Sequence, residues 1–234
     1  MVDTTRLDHL DPVELLDREC ERLERFFEGL DVQDWASESR CSGWRTREIL
    51  AHLAGGDTYH LAGIEDRLDE FFPPALEGGA FDLDSFNEWL LSTRAERSPA
   101  ELLEEWRGLN RAVRAGFRAL GADGRVATLI GPYPARLQAF HVAMHDAIHG
   151  DDIGVPVDAA ERPRRLAWRM TVCEFGLDEA GRGVEVERAP GTTRVRLGDA
   201  EAVLGDLEFV EAVTGRLPAE HPIDPSLREA LASF

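Results

Sequence analysis

The clearest hydrophobic period begins at "LDPVELLDRECERLERFFEGL", where Val13, Leu16, Cys20, Leu23 and Phe27 recur at helical spacing. Asp11 suits the N-cap, Pro12 the first helical position and Gly29 the stop. A second helix is predicted from near Thr46 through "REILAHLAGGDTYHLAGIEDRLDEFF" to Pro73, with Gly55-Gly56 either loosening it or admitting a close neighbour. "PPALEGGAF" reads as a loop and Ser85–Arg94 as a short helix. "SPAELLEEWRGLNRAVRAGFRALG" carries Ser98 as cap, Pro99 in the first turn, Glu101 closing a capping box and Gly121 at the end.

"ADGRVATLIGPYP" reads as an extended, hairpin-like connection, and a further helix runs from after Pro134 to near Gly154. Four long amphipathic helices in this span predict an antiparallel bundle. The pattern then changes. "GVPVDAAERP" is a linker into a helix bearing "RRLAWRMTVCEFGLDEAG", followed by the β-patterned runs "VEVERA", "TTRVRLG" and "EAVLG" and a helix at "DLEFVEAVTG". The expected fold class is therefore α+β: a bundle over residues 1–155 and a smaller α/β domain over 156–234.

Charge narrows the function. A net charge of −19 repels phosphate backbones, which argues against nucleic acid as a partner. The densest basic cluster, Arg162, Arg164, Arg165 and Arg169, suits one anionic ligand at most. All 26 basic residues are arginine, so lysine Schiff-base chemistry is excluded. No apolar run approaches the roughly 20 residues that span a bilayer, so no membrane partner is expected. Three scattered cysteines, Cys20, Cys41 and Cys173, and an acidic N-terminus without signal-like regions predict a cytoplasmic protein.

The candidate chemistry lies in "FHVAMHDAIHGDDIG". His141, His145 and His149 are each four residues apart, offset by about 40° and about 6 Å along a helix, so they share a face. Neighbouring pairs can converge on one ion, whereas the outer two, about 12 Å apart, cannot easily do so. A helical HxxxH pair with a third ligand from elsewhere makes a metal site with open positions. A pH-sensitive stripe or structural histidines fit the same spacing. His52 lies among Ile49, Leu50 and Leu53 on an apolar face, where a buried imidazole needs partners for both ring nitrogens. His60, two turns on, is too far to share an ion with His52 and reads as a rim residue.

"LDVQDWASESRCSGWRTREILAHLAGGD" resembles the N-terminal signature of the mycothiol-dependent maleylpyruvate isomerase family, within the DinB-like metalloenzyme superfamily. Trp35, Cys41-Ser42-Gly43-Trp44 and Ala51-His52-Leu53 carry the likeness, with Ser42 in place of the usual proline. A second signature, Glu-x-x-x-His-x-x-Asp, aligns with His145, His149 and Asp152, so that His145 stands where isomerase-type members have glutamate. Many other DinB-like proteins use three histidines.

The resemblance implies a DinB-like bundle with His52, His145 and His149 as metal ligands and Asp152 orienting an imidazole. It leaves His141 as a substrate contact or a residue behind the ligands, and places Asp146 and Asp151 on the solvated face. Gly215-Arg216 is similar to the family's C-terminal Gly-Arg element, which implies Arg216 as a carboxylate-holding catalytic residue.

Three neutral imidazoles leave a divalent ion its full charge, making it a stronger Lewis acid than a glutamate-bearing site. Zinc leads, and nickel, iron or cobalt suit the same ligands. The implied co-substrate is mycothiol, and with it an actinobacterial source; separately, the arginine-only, alanine-rich usage suggests a GC-rich genome. The expected function is a metal-dependent, thiol-using isomerase or transferase acting on a small electrophilic carboxylate, as a monomer or homodimer. Two alternatives are a thiol-independent hydrolase or lyase using metal-activated water, and a non-enzymatic DinB-like ligand-binding protein.

Overall fold

A computed structural model describes residues 2–234 as an α+β protein. It contains two compact units, one spanning Pro12–Pro156 and the other spanning Val157–Phe234 together with the N-terminal residues up to Asp11. The expected bundle domain of 1–155 thus differs at its start. The turn at Thr5–Leu7 packs on the helix Arg162–Ala180, with Arg6 bridging Glu174 (3.2 Å) and Asp178 (2.6 Å). Leu7 is fully buried there.

The bundle unit holds α1 (Pro12–Glu28), α2 (Thr46–Ile64), α3 (Leu68–Glu77), α4 (Leu83–Ser92), α5 (Pro99–Leu120) and α6 (Ala135–Asp152). The start of α5 is fixed by the expected capping box, in which Ser98 N–H donates to Glu101 (2.8 Å) and Glu101 N–H donates to Ser98 (3.3 Å). Phe27 stacks on Trp35 at 5.6 Å and meets Trp106 edge-on at 5.8 Å, in a core with Leu23, Leu50, Leu53 and Leu102. Each fully buried side chain of this size contributes roughly 1.5–3 kcal/mol.

Residue pairings give the direction of each helix. Asp17 pairs with Arg114 (2.8 Å) and Glu24 with Arg107 (2.7 Å), so α1 and α5 are antiparallel. Asp57 meets Asn110 (3.2 Å) and Ile64 meets Gly116, so α2 and α5 run parallel. Cys20 with Asp146 and Leu23 with Gly150 make α1 and α6 parallel, while His52 with His149 and Gly56 with His145 make α2 and α6 antiparallel. Of these four helix contacts two are antiparallel and two parallel. A parallel α2–α5 pair needs a long crossover, supplied by α3 and α4.

The single helix expected from Thr46 to Pro73 is broken at Asp66, which adopts φ 56°, and the first part of the expected loop, residues 73–77, is instead the second half of α3. Pro73 and Pro74 each remove a helical donor. Tertiary packing outweighs this loss: Phe71 and Phe72 join Tyr59, Phe86 and Trp89 in an aromatic cluster. Gly55 admits the close neighbour, since a Cβ there would come within 2.9 Å of Leu90. The hairpin-like connection consists of β1 (Arg125–Val126) and β2 (Tyr133–Pro134), paired antiparallel.

In the other unit, α7 (Arg162–Ala180) precedes the antiparallel meander β3 (Glu185–Ala189), β4 (Thr192–Leu197) and β5 (Ala200–Gly205), then α8 (Asp206–Val213) and α9 (Pro225–Leu231). Val195 and Leu204 turn inward with Phe209, Val213 and Leu227. Gly191, at φ 78°, makes the tight β3–β4 turn at Pro190-Gly191. Among the described residues, no helix is long and apolar enough to cross a membrane.

Candidate metal centre

The segment before α2 sets the site. Gly43, at φ 81°, closes a turn in which Trp44 N–H donates to Cys41 O (3.0 Å). Ser39 clamps this turn, accepting from Cys41 N–H (3.1 Å) and donating to Trp44 O (2.8 Å). Thr46 N–H then donates to Ser37 O (2.9 Å), and Arg45 N–H to Glu48 (3.1 Å), which starts α2. Trp44 consequently lies 4.9 Å from the His52 ring. Arg40 N–H donates to Asp152 O (2.9 Å), tying the turn to the end of α6.

His52, His145 and His149 converge, with one ring nitrogen of each lying within 4.8 Å of the others. His52 Nε2 and His145 Nε2 are 2.9 Å apart, and the three ring centroids are separated by 4.6–5.0 Å. Nitrogens on one tetrahedral zinc would be about 3.3 Å apart, given Zn–N bonds of about 2.0–2.1 Å. Neutral imidazoles are the donors such an ion takes, so the residues present fit a divalent metal. His52 and His149 are buried, whereas the His145 side chain is 31% exposed, which leaves the cluster approachable from that side.

Asp152, whose side chain is fully buried, places Oδ2 3.0 Å from His149 Nδ1. A carboxylate there accepts from Nδ1–H and leaves the Nε2 lone pair for the cluster. The same Oδ2 lies 3.2 Å from Cys41 Sγ, and Cys41, His149 and Asp152 form a second compact donor group. Cys41 was absent from the sequence-derived set. Its place in the turn beside His52 was the available signal, and its contact with the far end of α6 was not visible locally.

Asp146 corrects its expected position. It is 2% exposed, not solvated, with Oδ1 3.5 Å from His145 Nδ1 and Oδ2 accepting from the Cys20 thiol (3.3 Å). Ala139, Ala143 and Gly150 share its helix face, a small apolar stripe that could have indicated burial. Asp57 and Asn110 extend this buried polar group. Burial first, then the Asp146 charge, raises the Asp57 carboxyl well above the ordinary range. Burial, then Asp146 and Asp57, does the same to the Cys20 thiol.

His141 and His60 lie outside the three-histidine cluster; His141 Nε2 is 3.4 Å from Tyr133 Oη. Asp151 is half-buried. Arg216 belongs to the other unit, just after α8, where its guanidinium donates to Thr214 O (3.1 Å).

Fold and site together define an α+β protein whose helical bundle gathers three histidines from two antiparallel helices. Residues 16–154 match the family model "Mycothiol maleylpyruvate isomerase N-terminal domain", and the chain belongs to that family. Among solved structures it is similar to the mycothiol-dependent maleylpyruvate isomerase, at 14% identity and TM-score 0.53. It is likewise similar to a histidine-to-alanine mutant of that enzyme, at 15% identity and TM-score 0.51. Each likeness covers 72% of this chain and 68% of the other, and shows a shared fold. No curated protein matches the chain.

Proposed function

We propose that this protein is a metal-dependent enzyme that uses a low-molecular-weight thiol, mycothiol by its family, to isomerise a small electrophilic acid or transfer the thiol to it. The observation that carries the proposal is the convergence of His52, His145 and His149 in a family described by mycothiol-dependent isomerisation. A divalent ion held there, zinc foremost, would supply Lewis acidity that favours the thiolate of a bound thiol.

The chain's own residues prepare that chemistry. Asp152 fixes the tautomer and ring orientation of His149, and Asp146 lies beside Nδ1 of His145. Trp44 packs its ring against that of His52. Burial raises the Cys20 thiol well above its ordinary range and pushes Cys173 up to about 12, so neither supplies a nucleophile; the third cysteine, Cys41, has its thiol directed to the Asp152 carboxylate (3.2 Å), and an external thiol fits the nucleophile's role. Arg216 enters only through its resemblance to the Gly-Arg element, as the residue that would hold a substrate carboxylate.

The test is turnover of maleylpyruvate with and without mycothiol, by metal-loaded and metal-stripped protein. Turnover that requires both metal and thiol supports the proposal. Equal turnover without metal overturns it, and metal-dependent turnover without thiol replaces it with hydrolase or lyase chemistry.

A further inference from the structure

The buried polar group around Asp146 draws on four helices. Cys20 on α1, Asp57 on α2, Asn110 on α5 and Asp146 on α6 are each only 2–3% exposed. The Cys20 thiol donates to Asp146 Oδ2 (3.3 Å), and Asn110 Nδ2 donates to Asp57 Oδ2 (3.2 Å). The two pairs adjoin. After burial, the Asp146 and Asp57 charges raise the Cys20 thiol, and the Asp146 charge raises the Asp57 carboxyl.

Asp146 joins this group to the histidine cluster. Its other oxygen, Oδ1, lies 3.5 Å from Nδ1 of His145, the ring whose Nε2 faces His52. A carboxylate buried to this degree needs a donor on each oxygen. Among the described residues, the Cys20 thiol serves Oδ2 and the His145 ring is the group placed to serve Oδ1. The arrangement occurs twice on α6, since Asp152 Oδ2 lies 3.0 Å from Nδ1 of His149 and 3.2 Å from the Cys41 sulfur.

We infer that Cys20, Asp57 and Asn110, acting through Asp146, are positioning residues for His145: together they aim Oδ1 at Nδ1–H, which turns the Nε2 lone pair towards the ion. This rests on the metal-centre reading and adds to it residues that lie outside the ligand set. Burial keeps the Cys20 thiol protonated, so it remains a donor. It also keeps Asp57 protonated, so that no second charge pushes Asp146 aside. In such weakly polar surroundings a hydrogen bond is stronger than in water, and even a thiol donor fixes the carboxylate. Metal affinity is thereby tied to α1 and α5 as well as to the two helices that carry the ligands.

Cobalt(II) serves as the probe, titrated into the metal-free full chain against a chelator, with its visible absorption recording ligand geometry. Cys20→Ala should weaken cobalt binding about 2–10-fold, the range for one lost hydrogen bond, and shift the absorption. Cys20→Ser restores an O–H donor and should recover most of the loss. Asn110→Ala should act in the same direction, but it leaves Asp57 without its donor and costs fold stability, so the Cys20 variants carry the test. In a His145→Ala background there is no ring to aim, and Cys20→Ala should then change cobalt affinity by less than about twofold.

An equal loss in both backgrounds would make the role of Cys20 merely structural and overturns the inference, as does unchanged affinity in Cys20→Ala. A wild type that binds no cobalt overturns the metal reading instead. The nitrogen chemical shifts of the His145 ring in the metal-free protein then decide the positioning. A proton on Nδ1 in wild type, with a smaller share there in Cys20→Ala, sustains it, and identical ring shifts overturn it.

Discussion

Nε2 of His52 and Nε2 of His145 face one another at 2.9 Å across two antiparallel helices. Two such nitrogens this close either share one proton or share a cation, and the His149 ring, 4.7 Å from His52, favours the cation. His145→Glu, which installs a carboxylate donor, should therefore retain one equivalent of ion. His145→Ala should lower affinity at least tenfold, as measured by chelator competition. Equal affinity for His145→Ala and wild type would remove His145 from the ligand set.

Asp152 acts through His149. Asp152→Ala should weaken metal binding about 10–100-fold, the usual effect of losing a carboxylate behind a histidine ligand. Cys41→Ala, which removes only a weak donor to the same oxygen, should cost less, and Cys41→Ser should restore affinity. The same chelator titration ranks the three variants. A Cys41→Ala loss larger than that of Asp152→Ala would instead make the sulfur a ligand.

Helical periodicity and caps made the elements of the bundle legible. Asp11-Pro12 and the Ser98–Glu101 box mark helix starts because these signals act within one turn. The convergence of His52, His145 and His149 was legible because each lies in a short local motif. Helix α3 was not, because Pro73-Pro74 contradicts it locally and only distant aromatic contacts with Tyr59 and Trp89 overcome that. The burial of Asp146 and the role of Cys41 depend on partners more than 100 residues away. For the same reason Leu7, in the chain's first turn, packs in the unit formed by its last third.

The Asp57 carboxyl carries a pH signature. Its folded-state pKa is raised, so the folded chain holds this proton more tightly than the unfolded chain does. Its contribution to stability is full below the unfolded value near 3.8 and is lost as pH rises through the raised folded value. Asp57→Asn stays neutral, so it should gain stability relative to wild type as pH rises from about 4 towards 7. Urea unfolding at several pH values measures the difference, and a pH-independent difference would contradict the assignment.

Gly63 supports the β1–β2 connection, since its carbonyl accepts from Ala127 N–H (3.0 Å). A Cβ at Gly63 would run into the Ala127 carbonyl oxygen, which is backbone and cannot swing aside. Gly63→Ala should destabilise the protein by about 1–3 kcal/mol, a melting-temperature loss of roughly 2–10 °C by calorimetry. An unchanged melting temperature would show that the connection moves freely.

Elemental analysis of the purified chain beside its His52→Ala and His149→Ala variants tests the three-histidine centre most directly. One equivalent of divalent metal in wild type, falling to near zero in both variants while their folded helical signal persists, is the expected result. Metal-free wild type, or equal metal in all three proteins, would contradict it.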